Sequence, residues 1–228
     1  MEDLSRIVHT SPSVTLLGGG SARESDLRES LDFAPVLVCA DGGANHAATW
    51  GIRPAGIIGD MDSLSQDLLS GTDAPLAGVP VMEVADQNTT DFEKCLSVVR
   101  ASLVIGVGFL GKRLDHQLAA LNGLCKHPQR SVVLVGAQDV VFRAPPVFTV
   151  NLPAGTRVSL HPWTGATARS EGLRWPVEGL DFQPDGRIGS SNAATGGEMR
   201  LETTGGHLLV MLPRRFLGAV VTALQPQV

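Results

Sequence analysis

The first 136 residues of this chain repeat one pattern, and that pattern constrains the fold more than any other feature. A short β-branched or apolar run leads into a turn rich in Gly and Asp, and a stretch of helical length follows. The runs at 14–17, 36–40, 56–59, 79–84, 103–107 and 132–135 predict strands. Between them, residues 91–100 place Phe92, Cys95, Leu96 and Val99 at helical spacing, and Thr90-x-x-Glu93 supplies a capping box. A second helix is expected from Asp115, with Leu114, Leu118, Leu121 and Cys125 on one face. Strand then helix, repeated, predicts an α/β domain with a parallel sheet covered on both sides.

Beyond about residue 137 helical periodicity disappears. Pro, Gly and Thr divide the chain into candidate strands at 147–151, 157–161, 200–203 and 208–212, which reads as a smaller all-β domain. The boundary is expected within 136–141, giving domains of 1–138 and 139–228.

Composition removes several function classes. Hydrophobic residues make up 43% of the 228 against 18% charged, which excludes disorder as the main state. A net charge of −5, no basic run and no Tyr argue against a nucleic-acid partner. The apolar run 216–224 is far short of the roughly 18 residues of a membrane span, so no membrane association is expected. The acidic start Met1-Glu2-Asp3, with no apolar segment after it, points to the cytoplasm. Cys39, Cys95 and Cys125 show no C-x-x-C spacing, sit in apolar stretches and are expected to be buried free thiols.

Ligands of open parallel sheets bind beyond the carboxyl ends of the strands, and the unusual residues of this chain collect there. Strand ends run into Gly18-Gly19-Gly20-Ser21, Asp41-Gly42-Gly43-Ala44-Asn45 and Asp60-Met61-Asp62-Ser63. Two later ones lead to Asp86-Gln87-Asn88-Thr89-Thr90-Asp91 and to Gly111-Lys112-Arg113-Leu114-Asp115-His116. On an extended segment Asp60 and Asp62 point the same way, roughly 6.6 Å apart, and Asp91 joins them from its helix start. Clustered carboxylates repel one another and offer only oxygen ligands, which suits Mg²⁺ shared with nucleotide phosphates.

Each residue also has a plainer reading. Asp91 can simply complement its helix dipole, and Asp41 can cap a helix rather than hold a ribose. The glycine loop offers backbone N–H groups at a helix start, yet it matches neither G-x-G-x-x-G nor the Walker pattern. Arg113 can hold phosphate in bidentate fashion, oriented by Asp115, or form a surface salt bridge. Lys112 reads as solvated and His116 as a surface histidine. Gly189-Ser190-Ser191-Asn192 reads as a turn, while Trp163 and Trp175 either pack on a sheet or present an aromatic face to a ligand.

The segments from Ala40 to Asn45, Gly59 to Ser63, Asp86 to Lys94 and Gly111 to His116, in that order, closely resemble thiamin pyrophosphokinases. Ser190-Ser191-Asn192, after Gly172-Leu173-Arg174-Trp175-Pro176, resembles that family's late serine motif. The resemblance implies a Rossmann-like α/β nucleotide-binding domain followed by a β-sandwich thiamin-binding domain. It also implies a homodimer with shared active sites, and transfer of pyrophosphate from ATP to thiamin. Asp60, Asp62 and Asp91 would hold Mg²⁺ and join Arg113 and Asp115 in catalysis. Gly19, Gly20, Ser21, Asp41, Gly42, Asn45, Gln87 and Thr90 would meet nucleotide and phosphates, and Ser190, Ser191 and Asn192 would meet thiamin. Two departures stand out: Lys112 replaces a glycine usual in the family, and no aromatic residue follows Ser190 before Phe216. Other readings are a pyrophosphokinase for another alcohol such as a hydroxymethylpterin, and a non-catalytic nucleotide-binding regulator. An aspartyl-phosphate phosphatase is disfavoured, because it needs D-x-D-x-T at the first strand, whereas Asp60-x-Asp62 ends the third strand and is followed by Ser63-Leu64.

Overall fold

A computed structural model describes residues 11–86 and 88–225. The chain divides into two compact units, Met1–Gly123 with Leu134–Gly136, and Leu124–Val133 with Ala137–Val228.

In the first unit the order is β1 (Ser13–Leu17), α1 (Glu24–Phe33), β2 (Val36–Ala40), α2 (Gly43–Thr49), β3 (Gly56–Gly59), β4 (Val81–Glu83), α3 (Asp91–Val98) and β5 (Leu103–Val107). Helix α4 (Leu114–Lys126) and strand β6 (Ser131–Val135) are shared between the units. The strands pair in parallel in the order β5-β1-β2-β3-β4, with Val14 opposite both Val36 and Val104. Consecutive residues such as Leu16 and Leu17, Val38 and Cys39, and Ile57 and Ile58 are all buried, as a sheet covered on both faces requires. Because β1 pairs with β2 on one side and β5 on the other, the strand order reverses between β1 and β5, and a crevice opens there at their carboxyl ends.

Local sequence accounts for most boundaries. Helix α3 has the expected capping box, and Phe92, Cys95, Leu96 and Val99 are buried. It stops at Val98, short of the expected Arg100, because Val99 turns extended. Strand β4 is shorter than 79–84 because Pro80 has no N–H to donate and Val79 is held in a turn by Leu76. Helix α4 departs from its expected face: Leu114 is 68% and Leu118 48% exposed, and Ala120, Leu124 and Cys125 form the buried side. The three cysteines are buried and free, as expected.

The second unit carries β7 (Asp139–Arg143), β8 (Val147–Leu152), β9 (Arg157–Pro162), β10 (Ala166–Glu171), β11 (Leu180–Phe182), β12 (Gly189–Ala193), β13 (Gly197–Gly205), β14 (Leu208–Pro213) and α5 (Leu217–Leu224). Antiparallel pairing links β12-β9-β14-β7 and, separately, β11-β10-β13-β8. The two layers meet at Phe142 and Phe148, whose rings lie 4.8 Å apart. The expected succession of a parallel α/β part and an antiparallel β part therefore holds. The all-β reading needs one correction, helix α5, whose Leu217, Val220, Val221 and Leu224 are buried at i, i+3, i+4 and i+7. Strand β12 replaces the expected turn at 189–192, with a register shift between Gly189 and Asn192. No helix among the described residues is long and apolar enough to cross a membrane.

Candidate active site

A cleft of about 600 Å³ lies at the carboxyl ends of the first unit's strands. Its floor is made by the exits of β1 and β5, which main-chain bonds hold together. The Gly18 N–H donates to Val107 O and the Gly20 N–H to Gly108 O, both at 2.8 Å. A Cβ at Gly20 would overlap the Gly108 carbonyl, so only glycine allows this approach. Gly18, Gly19 and Gly20 line the cleft, but they do not form the row of helix-start donors expected from sequence. Two of their N–H groups are consumed by Val107 O and Gly108 O at the β5 exit, and α1 begins only at Glu24, after the Arg23 cap. Ser21 does not line the cleft and lies close to Gly111.

Strand β2 delivers Asp41 in a left-handed turn, φ +38. Asp41 is fully buried, and its Oδ2 accepts a hydrogen bond from the Ser63 N–H at 3.1 Å. Gly42 packs against Ser63, and Asn45 clamps the same loop: its amide donates to Ser63 O (2.9 Å) and accepts from the Ser65 N–H (3.2 Å). Asp60 follows β3 and Asp91 opens α3. Carboxylate oxygens of Asp41, Asp60 and Asp91 lie within 4.8 Å of one another, a spacing that one cation can bridge. Asp62, expected in this group, is exposed and takes the Ser63 hydroxyl at 2.8 Å. Met61 at φ +65 breaks the extended geometry that would have aligned Asp62 with Asp60.

Lys94 is embedded in this acidic group. Its side chain is only 2% exposed, and its ammonium donates to Asp60 Oδ2 at 2.5 Å and to Asp91 Oδ1 at 3.2 Å. Among the described residues, Oδ1 of both Asp41 and Asp60 is buried with no hydrogen-bond partner. Burial pushes the Asp41 carboxyl up to about 6, against the Ser63 N–H bond and with help from the Asp62 and Asp91 carboxylates. Burial likewise raises Asp91, against Lys94. The hydrogen bond from Lys94 holds Asp60 below the usual carboxylate range. Burial alone would lower the Lys94 ammonium, but its bonds to Asp60 and Asp91 together carry it above its ordinary value. Anionic oxygens, two of them orphaned, fit a hard cation such as Mg²⁺.

The opposite lip comes from the β5–α4 loop. Arg113 and Asp115 form an exposed bidentate pair, Nε to Oδ1 at 3.1 Å and a terminal nitrogen to Oδ2 at 2.6 Å. Arg113, Lys112 and His116 line the cleft, together with Phe109, which packs on Phe92 with centroids 4.6 Å apart. Lys112 is exposed, as expected, and its ammonium donates to Gly19 O at 3.0 Å. Thr90 lines the cleft, and its hydroxyl caps α3 by accepting from the Glu93 N–H. Gln87 lies outside the described residues.

The serine motif sits on β12 in the second unit. Ser190 and Ser191 are exposed, with Ser191 at φ +59, and the Ser191 N–H donates to Ser159 Oγ at 3.1 Å. Asn192 is buried, and its side chain bonds to the main chain: Oδ1 accepts from Trp175 N–H (3.2 Å) and Ala193 N–H (2.8 Å), and Nδ2 donates to Trp175 O (2.6 Å). The Trp175 ring, 53% exposed, carries the Arg174 guanidinium 4.8 Å above it rather than packing into a sheet.

The sequence singles out neither Lys94 as a cleft residue nor Asp41 as part of the acidic group, since it leaves Asp41 open between a helix cap and a ribose partner. The signal for Lys94 was present: it lies at i+3 from Asp91, on the same face of a capped helix.

These features define an α/β protein with an open cleft at a topological switch point, beside three carboxylates spaced so that one cation can bridge them. The model of the thiamin pyrophosphokinase catalytic domain matches residues 27–135. Thiamine pyrophosphokinase 2 of Arabidopsis thaliana is 29% identical over 197 residues, 71% of this chain and 72% of the relative. Thiamine pyrophosphokinase 1 of Oryza sativa subsp. japonica is 27% identical over 198 residues, 70% and 75% of the two chains. The crystal structure of thiamine pyrophosphokinase from Bacillus subtilis superposes with a TM-score of 0.76 at 17% identity, covering 88% of this chain and 98% of that one. For yeast thiamin pyrophosphokinase the TM-score is 0.75 at 17% identity, covering 96% and 92%. A thiamin pyrophosphokinase catalytic domain is present over residues 27–135 of this chain.

Proposed function

We propose that this chain transfers the pyrophosphoryl group of Mg-ATP to the hydroxyl of thiamin, giving thiamin diphosphate and AMP. The observation that carries the reading is the Asp41, Asp60 and Asp91 group with its two orphaned, buried oxygens, of which Asp60 and Asp91 line the cleft, in a chain that carries this catalytic domain. These three residues would hold Mg²⁺, and Asp62 would add a ligand from the solvent side. A bound Mg²⁺ supplies charge neutralisation for the phosphoryl oxygens. Lys94 keeps Asp60 and Asp91 oriented, and Asn45 fixes the loop that carries Asp62 and Ser63. Arg113 receives charge developing on the phosphates, with Asp115 aiming its guanidinium. Positioning and electrostatics supply most of the rate in such transfers.

Residues 1–138 are proposed as the nucleotide-binding catalytic part and 139–228 as the thiamin-binding part, through Ser190 and Ser191 on the strand anchored by Asn192. The chain would act as a homodimer with shared sites, for which exposed Leu114 and Leu118 offer apolar surface. It would work in the cytoplasm, where three unpaired cysteines are compatible with the reducing conditions. The test is AMP release from Mg-ATP with thiamin, with a hydroxymethylpterin and with no acceptor. Thiamin-dependent AMP formation that EDTA abolishes is expected. AMP formation with the pterin alone, or with neither alcohol, refutes the assignment.

A further inference from the structure

We propose that Lys112 binds the polyphosphate tail of the nucleotide and sets its affinity, an assignment that rests on the functional reading above. Three Lys or Arg side chains line the described cleft: Lys94, Lys112 and Arg113. Two are already committed to carboxylates, Lys94 to Asp60 and Asp91 (2.5 and 3.2 Å) and Arg113 to Asp115 (2.6 Å). Lys112 differs, because among the described residues its ammonium meets only the neutral carbonyl of Gly19, at 3.0 Å.

That bond adds little as a structural tie. The loops it joins are already held by the main-chain bonds from Gly18 to Val107 and from Gly20 to Gly108. The backbone at Lys112 also stands at φ +59, in the left-handed region that disfavours side chains, directly after Gly111 at φ +88. A lysine kept in a strained turn, reaching over a lip lined by Gly18, Gly19 and Gly20, is placed for an anion entering the cleft. A phosphate oxygen makes a stronger, charge-assisted bond than a carbonyl, so the ammonium exchanges Gly19 O for phosphate when the nucleotide binds.

Calorimetric titration of Mg-ATP and of adenosine into the wild type, Lys112→Met, Lys112→Gly and Lys112→Arg tests this, with thermal midpoints recorded alongside. Lys112→Met and Lys112→Gly are expected to bind Mg-ATP about tenfold more weakly with adenosine affinity unchanged, and Lys112→Arg to retain most of the affinity. Lys112→Gly should melt no lower than the wild type, since glycine relaxes at φ +59. Equal Mg-ATP affinity in the wild type and Lys112→Met overturns the assignment while leaving the proposed function standing. A Lys112→Gly that melts lower and weakens both ligands alike makes Lys112 a loop tie and overturns it too. A wild type that binds no Mg-ATP removes both readings.

Discussion

Asp41→Asn alters the one carboxylate of the acidic group that is wholly buried and has an orphaned oxygen, and its effect on stability can be worked from the structure. Burial, aided by Asp62 and Asp91, raises the Asp41 carboxyl from 3.8 to about 6. The folded chain therefore holds this proton more tightly than the unfolded chain. The associated stabilisation is complete below about pH 4 and is lost as the pH rises through about 6. At about 1.4 kcal/mol per pH unit, the ionised side chain at pH 8 costs on the order of 3 kcal/mol relative to its protonated form. Asparagine removes that cost. Its oxygen can still accept the Ser63 N–H, and its amide brings no negative charge beside the Asp60 and Asp91 carboxylates. It also tolerates φ +38. In EDTA at pH 8 the variant should melt several degrees above the wild type, at about 2–4 °C per kcal/mol for a chain of this size. The advantage should vanish near pH 4, and Mg²⁺ should stabilise the wild type but not the variant. A variant less stable than the wild type at pH 8 in EDTA would refute the reasoning.

Asp91→Asn should lower thiamin-dependent AMP formation about 100-fold or more, whereas Asp62→Asn, outside the three-carboxylate group, should cost about tenfold or less; steady-state assays at saturating Mg²⁺ compare them. Lys94→Met strands two carboxylates and should destabilise the protein by about 3–5 kcal/mol in urea unfolding at pH 8. Because Lys94 holds Asp60 low, that bond contributes above the usual carboxylate range and is lost in acid, so the penalty should shrink below about pH 4. Gly20→Ala drives a methyl into the Gly108 carbonyl, and both the melting temperature and AMP formation should fall.

Strand-and-helix alternation made the parallel unit legible, since β2, β3 and β5 fall on the runs expected for them. In the second unit, β10 and β11 were hidden because Ala-Thr-Ala-Arg-Ser-Glu and Leu-Asp-Phe have little strand character of their own. They become strands through pairing with partners distant in sequence, Ala166 with both Phe182 and Gly205. Helix α5 was hidden by its position at the end of a β-rich segment, although its apolar spacing is regular. In the site, Asp60 and Asp91 were readable from their places at strand and helix ends. Asp41 was not readable as a metal candidate, because its burial and left-handed turn follow from Ser63 and Asp60 lying beside it in space. Lys94 was overlooked because a buried ammonium among carboxylates is set by three-dimensional packing, and its helical spacing alone fits an ordinary surface pair equally well.

The two hydrogen bonds from Gly18 and Gly20 to the β5 exit extend the β1–β5 ladder past the last strand residues. The segments on either side of that seam cannot drift independently: a backbone shift at Gly108 is transmitted to Gly20 and returned. Sequence change in this protein therefore has freedom in the side chains that overhang the seam and almost none in the main chain beneath them.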